Sequence, residues 1–296
     1  MFRKILVPTD FSEPSLKMIE NLPRFKNLGM EEAVVLYCMQ TLNHFVDDTY
    51  VEVNFSDEMT ERAKEKLEKI KTELENKSVK TKVLIESGNP ANFILEVAKK
   101  ENVSMIIMPS HRYGESKHFK LGSITHSLLH HINVPILIEK VAWLEDKNGN
   151  LSPKYMGNEL FGKVLLPTDF SEHSLNAIEE LKTMADVGIK EVVLAHVQDV
   201  RRLRPHLESK MDEFNKIDQE RLDKIKADLE KSGFNVKTII SEGIPSEKIS
   251  EIADAEDANM IFISSHGRSP FKEMVLGSVT ERVVLKTGKP VMVVKG

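Results

Sequence analysis

Short apolar runs alternate along this chain with longer stretches in which apolar positions recur every three or four residues. In the first half the runs are 3–7 (RKILV), 33–38 (AVVLYC), 79–85 (VKTKVLI), 104–108 (SMIIM) and 134–138 (VPILI). Most are continuous rather than alternating, the pattern of strands covered on both faces in parallel sheets. Between them, Met59, Ala63, Leu67, Ile70 and Leu74 form one stripe on an otherwise charged helix. Phe93, Ile94, Val97 and Ala98 mark a second helix, and Leu128, Leu129 and Ile132 a third. The second half repeats the order, with strands at 163–166, 191–197, 235–240, 259–263 and 290–294 and a long helix carrying Met211, Phe214, Ile217, Leu222, Ile225 and Leu229. Strand–helix–strand alternation of this kind predicts an α/β fold with two open, mostly parallel five-stranded sheets flanked by helices.

The repetition extends to individual residues. KILVPTDFSEPSL at 4–16 matches KVLLPTDFSEHSL at 163–175 in ten of thirteen positions, and LGSIT at 121–125 answers LGSVT at 276–280. A repeat of this length is a whole small domain rather than a solenoid unit. The expected organisation is one domain over 1–140, a linker over 141–160 and a second domain over 161–296. The linker stretch is polar, holds Asn148, Gly149, Asn150, Ser152 and Pro153, and carries the single tryptophan, Trp143, expected to pack on a domain surface. Strands 134–139 and 290–295 are expected to join the copies as an internal pseudo-dimer, covering sheet edges that would otherwise stay open. A homodimer of whole chains is left open.

Local signals agree with this frame. Ser12 and Ser171 are placed to cap the first helix of each copy, with Pro14 in a first turn. Gly88-Asn89-Pro90 and Gly243-Ile244-Pro245 each stand between a third strand and the next helix.

Composition narrows the partners. A net charge of −5 disfavours nucleic acid, and the short RRLR at 201–204 does not reverse it. No run of about 18 apolar residues would cross a membrane, and the N-terminus enters a strand pattern without a signal-peptide core. One cysteine, Cys38, leaves no internal disulfide and suits a reducing compartment, so a cytoplasmic location is expected.

In open α/β sheets ligands bind beyond the carboxyl ends of strands, where strand order reverses. Three pieces of each copy fall at such ends. Pro-Thr-Asp follows strand one at 8–10 and 167–169; its carboxylate can accept from a ribose or base, or simply favour a helix N-terminus. Ser264-Ser265-His266-Gly267-Arg268 follows strand four, with Pro109-Ser110-His111-Arg112 as its counterpart. Gly277-Ser278-Val279-Thr280 and Gly122-Ser123-Ile124-Thr125 open the last helices, where backbone N–H groups can take an anion or serve simple capping.

Other constellations point away from catalysis or metal. His126 and His130 are four residues apart on one helix beside His131, but lack an HExxH glutamate, so surface histidines and no metal are expected. Ser110–His111 and Ser265–His266 are adjacent in sequence, a poor geometry for a nucleophile and its base, and no GxSxG elbow is present. Neither a GxxxxGK phosphate loop nor the acidic pair of a phosphoacceptor domain occurs.

Taken together these residues resemble the universal stress protein family in its tandem form, over all but the linker. The resemblance implies a Rossmann-like fold of the adenine nucleotide alpha-hydrolase type, dimerisation through the last strand, and, in ATP-binding members, a glycine, two residues, a glycine, nine residues, then glycine-serine or glycine-threonine. The second copy matches the later part as Gly267, nine residues, Gly277 and Ser278, with Ser264 at the first glycine position. The first copy has Pro109 and Arg112 at the two glycine positions, Gly114 standing off the spacing, and keeps Gly122 and Ser123. By resemblance Asp169, with Pro167 and Thr168, and Asp10 face the nucleoside, while Val197 and Met39 line the adenine pocket. Ile263, Ser264, His266, Gly267, Arg268, Gly277, Ser278, Val279 and Thr280 surround ribose and phosphates, with Gly122, Ser123, Ile124 and Thr125 their first-copy equivalents. The implied ligand is ATP, ADP or AMP, with or without Mg, and the implied role a stress-response sensor or adaptor whose second copy is the better site. Slow ATP hydrolysis and a nucleotide-free protein-interaction module remain the alternatives.

Overall fold

A computed structural model describes residues 2–39, 42–46, 49–53, 57–113, 119–131, 133–145, 149–156, 161–199, 210–267 and 276–296, and side chains outside 42–53, 112, 113 and 211. The first half contains β1 (Lys4–Thr9), α1 (Glu13–Glu20), a 3-10 helix (Leu22–Leu28), β2 (Glu32–Met39), β3 (Leu42–Val46), β4 (Thr49–Val53), α2 (Asp57–Asn76), β5 (Lys80–Ser87), α3 (Pro90–Lys100), β6 (Met105–Tyr113), β7 (Lys120–Leu121), α4 (Ser123–His130) and β8 (Ile136–Glu145). After β9 (Leu151–Tyr155) the second half contains β10 (Lys163–Pro167), α5 (Glu172–Lys182), β11 (Glu191–Gln198), α6 (Met211–Lys231), β12 (Asn235–Glu242), α7 (Pro245–Ala255), β13 (Met260–Ser264), α8 (Ser278–Lys286) and β14 (Val291–Val294).

The ten strands expected from the apolar runs are all present, and they build one sheet. Its order is β12-β11-β10-β13-β14-β8-β6-β1-β2-β5, with β7 on β6 and β9 on β8. Along this order neighbours within each half run parallel, whereas β7 and β9 pair antiparallel and β14 meets β8 antiparallel, Val291 opposite Ile138 and Val293 opposite Ile136. The last strands therefore join the copies as the edge-covering argument predicts. Within each half the first and fourth strands are adjacent, and the chain leaves them in opposite directions: a topological switch point lies between β10 and β13, and another between β1 and β6.

Two apolar layers cover the sheet, each shared by both copies. One packs Met18, Leu67, Leu74, Leu181, Leu222 and Leu229 from α1, α2, α5 and α6 onto one face. The other packs Ile94, Leu128, Ile252 and Val283 from α3, α4, α7 and α8 onto the opposite face. Among the described residues no helix is long and apolar enough to cross a membrane.

Three departures from the sequence reading matter. The stretch 141–160 is more than a polar connection, because β8 continues through Val141–Glu145 and β9 folds back on it, Trp143 opposite Pro153. Gly149 supplies the left-handed turn at φ 81°. Next, strand four of the first copy does not stop at 108: β6 runs on to Tyr113, with Pro109 opposite Glu139 and Tyr113 opposite Trp143 on β8. The longer β8 gives it a partner, so residues expected in a loop are held in a ladder. Finally, Ser171 accepts a hydrogen bond from the Ser174 amide as a cap, but Ser12 makes no such bond. The Ser15 hydroxyl donates to the Ser12 carbonyl and meets Thr9 just as Ser174 does with Ser171 and Thr168, so only the side-chain cap differs between the copies.

The joint buries charge. Lys140 on β8 is fully buried, its ammonium donating to the Val284 carbonyl on α8 and standing 4.6 Å from the centre of the Phe119 ring. Burial pulls its pKa down to about 7, against the attraction of Glu139. A lysine with a depressed folded value contributes stability that is present above its unfolded value near 10.5 and lost as pH falls through about 7. Lys140→Met is expected to raise the melting temperature at pH 7 by several degrees and to flatten its fall between pH 10 and 7, as read by calorimetry. A lower melting temperature at pH 7 would show that the bond to Val284 outweighs the cost of burying the charge.

Candidate functional site

Strand β10 delivers Pro167, Thr168 and Asp169 to the switch point. Phe170 follows with φ 62°, a left-handed turn that Phe11 repeats at φ 60° in the first copy. That turn is stabilised locally: the Phe170 amide donates to the Thr168 hydroxyl at 3.1 Å, while the Ser171 amide and hydroxyl donate to Asp169 Oδ1 at 3.0 and 2.5 Å. Oδ1 of Asp169 is thereby fixed, and Oδ2 faces the strand-four loop. A Cβ added at Gly267 would stand 2.8 Å from Asp169 Oδ2, a separation real side chains do not show. Glycine lets backbone and carboxylate converge there, and any side chain would push the Asp169 carboxylate aside.

Strand β13 ends at Ser264, and the chain opens into a loop. The Ser264 hydroxyl turns back to donate to the His266 carbonyl at 2.5 Å, and its own carbonyl accepts from the Thr280 hydroxyl at 2.8 Å. The Gly277 amide donates to the Ser265 carbonyl at 2.8 Å, and a Cβ on Gly277 would come within 3.2 Å of that oxygen. These bonds tie the exit of β13 to the start of α8, which Gly277 caps with extended backbone. Ser278, Val279 and Thr280 form the first helical turn, whose N–H groups have no partner within the helix. Their location beside the loop makes an anion-attracting helix end. Ile263 and Val197 are buried in the strands beneath. Arg268 lies outside the described residues, as do Gly114, Ile132 and the basic 201–204 run.

Ser265 and His266 are nearer than their adjacency suggested: Ser265 Oγ and His266 Nδ1 are 2.8 Å apart. Ser265 is nevertheless wholly buried, so the pair is a structural bond at the root of the loop rather than an exposed nucleophile.

One cluster escaped the sequence reading. His196, buried on β11, donates through Nδ1 to the Thr168 carbonyl at 2.7 Å, and its Nε2 lies 3.4 Å from Asp218 on α6. Its ring packs on Phe170 at 4.5 Å, Gln198 donates to Asp218 at 2.9 Å, and Arg221 stands over the Phe170 face at 5.3 Å. This network sets the position of the Pro-Thr-Asp turn from below. The available signal was the histidine at the position that Tyr37 holds in the first copy, where Tyr37 packs on Phe11 as His196 packs on Phe170.

The first copy is built differently at the same place. Ser110 and His111 pair with Leu121 and Lys120 on β7 as well as with Lys140 and Val141 on β8, so this part of β6 lies between two strands. Gly122 caps α4 and Ser123 and Ile124 open it, with Thr125 buried, but a Cβ on Gly122 would meet nothing within 4 Å. Asp10 feels burial, which raises a carboxyl pKa, but hydrogen bonds from Ser12 and Ser15 outweigh it and hold the group below its usual value. Burial and then Lys120 lower the His111 pKa, with Asp10 opposing. Met39 is buried at the end of β2, its sulfur accepting from Thr60. The Cys38 thiol is pushed up to about 12 by burial and the Glu86 carboxylate, which keeps it protonated.

The helix histidines sit at the surface beside the joint: His126 and His131 are exposed and His130 is half-buried, with His126 Nε2 3.2 Å from Glu281 of α8 and His130 Nδ1 accepting from the Leu276 amide at 3.0 Å.

Comparison with known proteins agrees with this architecture. A universal stress protein of Methanocaldococcus jannaschii is 39% identical over 155 residues, 46% of this chain and 96% of its own length. One from Methanothermobacter thermautotrophicus is 33% identical over 134 residues, 44% of this chain and 90% of its own. The solved structure of a universal stress protein from Archaeoglobus fulgidus matches with a TM-score of 0.72 at 29% identity, over 100% of this chain and 99% of that one. A sequence profile of the universal stress protein family matches twice, over residues 1–140 and 160–295. With both halves matched, the chain belongs to the universal stress protein family, in its tandem-domain form.

Proposed function

We propose that the second domain binds an adenine nucleotide at the switch point between β10 and β13, and that the chain acts as a nucleotide-dependent sensor or adaptor in a stress response. The observation that carries this reading is the approach of Gly267 to Asp169 Oδ2, beside the helix end capped by Gly277. A carboxylate there can accept from ribose hydroxyls, and the first-turn amides of α8 can donate to phosphate oxygens. Val197 and Ile263 supply apolar surface for a base. The first domain, with β6 extended through Pro109–Tyr113, is the poorer site.

The test is calorimetric titration of the full chain with ATP, ADP and AMP, alongside Asp169→Ala. One site per chain is expected, weakened at least tenfold by the substitution. In a thermal melt, ligand at 100 times its Kd should add about 2.7 kcal/mol. Unshifted melting with all three nucleotides would assign the chain to protein interaction without a ligand, and two equal sites would overturn the ranking of the domains.

A further inference from the structure

We propose that the first domain positions the second domain's phosphate-binding helix, and that His130 is the positioning residue. The inference rests on the nucleotide reading above and assigns it an inter-domain control. Helix α8 is gripped along its length by groups from the other copy. Before its start, His130 Nδ1 accepts from the Leu276 amide at 3.0 Å; in its first turn, His126 lies 3.2 Å from Glu281. In its last turn the Phe119 amide donates to the Leu285 carbonyl at 2.8 Å, and Lys140 donates to the Val284 carbonyl. Last-turn carbonyls lack partners within their own helix, so these two bonds satisfy groups that would otherwise need water, and a cation there also favours the helix dipole.

The bond at Leu276 matters most for the site. Leu276 is buried and directly precedes Gly277, which caps the helix. Two successive amides are therefore anchored by different domains, Leu276 by His130 and Gly277 by the Ser265 carbonyl. Anchoring both fixes the direction in which the next amides, those of Ser278 and Val279, point. With only the Gly277 bond left, the chain can pivot at a glycine and misdirect the donors. The segment that supplies Phe119 is the first copy's counterpart of the loop after strand four. The second copy's fourth strand ends at Ser264, whereas the first continues to Tyr113 and uses Phe119 against α8.

The test uses the full chain with His130→Leu, which removes the acceptor, His130→Asn, whose Oδ1 occupies the branch position of Nδ1, and His130→Gln, whose oxygen sits one bond farther. Hydrogen exchange over 276–281 and titrations with ATP and with adenosine are measured for each. For His130→Leu, exchange over 276–281 is expected to quicken about tenfold, because a buried amide loses its acceptor. ATP should bind about tenfold more weakly and adenosine within twofold of wild type. His130→Asn should restore both readouts to within twofold, and His130→Gln should not. Unchanged exchange in His130→Leu, or equal weakening of ATP and adenosine, overturns the proposal. Should His130→Leu unfold, the contrast between Asn and Gln decides. Should wild type bind no nucleotide, the functional reading fails, and exchange over 276–281 still decides whether His130 anchors the helix.

Discussion

Arg24→Met lowers folding stability by about 3–5 kcal/mol at pH 8, the magnitude for stranding one partner of a buried ion pair. Glu139, on β8, is completely buried, and Arg24 from the 3-10 helix donates to it and to the Tyr155 hydroxyl of β9. The guanidinium also lies 4.3 Å from the Tyr155 ring centre. Burial pushes the Glu139 carboxyl up to about 7, and Arg24 is the main opposing influence. A carboxyl raised above its unfolded value near 4.5 contributes stability fully present below that value and lost as pH rises through about 7. Removing Arg24 should therefore cost most above pH 7 and much less at pH 5, where the carboxyl takes a proton. Arg24→Met with Glu139→Leu should return to near wild-type stability at pH 8, because the buried carboxylate is removed together with its partner. Urea denaturation at both pH values measures all three chains. Equal losses at pH 5 and 8, or a double variant as weak as the single one, would show that Arg24 acts through packing alone.

The second large effect is expected at Gly267. Gly267→Val should weaken ATP binding more than tenfold while moving the melting temperature by only a few degrees. The reason is local: even a Cβ would meet Asp169 Oδ2 at 2.8 Å, and the carboxylate is the flexible partner that must swing away. It would leave its bonds to Ser171, so the turn after β10 would lose the oxygen that organises it. Gly122→Val is the control, since nothing lies within 4 Å of a Cβ there. Calorimetric titration reads both; equal losses of affinity would place the ligand elsewhere.

The fold was legible because ten strands are runs of β-branched and aliphatic residues between helices with single apolar stripes. The pairing that joins the copies followed from the family resemblance, which implies contact through the last strand, and from the need to cover a sheet edge. What stayed hidden depended on partners distant in sequence. Pro109–Arg112 read as a loop because a proline follows an apolar run, and only the extension of β8 through Glu145 turns it into a strand. That extension had its own signal in Asn148-Gly149, a hairpin dipeptide overshadowed by the surrounding polarity. The hairpin of β3 and β4 was missed as well, its sequence LNHFV and TYVEV having been passed over between longer elements. At the site, Asp169, Gly267 and Gly277 stood out because they recur or are glycines. His196 did not, since an isolated histidine in an apolar strand gives no hint that Thr168 and Asp218 await it. Likewise His126 and His130 look like surface residues on their own helix, and only the antiparallel joint places the second copy against them.

The pairing of β8 with β14 is a contact between two parts of one covalent chain. Its strength is consequently independent of how dilute the protein becomes, unlike a joint between separate subunits, because each half presents itself to the other at an effective concentration in the millimolar range or above. One half can thus shed ligand-binding features and specialise as a scaffold without a matching partner ever being lost to dissociation. Cutting the chain between the copies would return that joint to ordinary mass action and expose two unpaired strand edges prone to self-association.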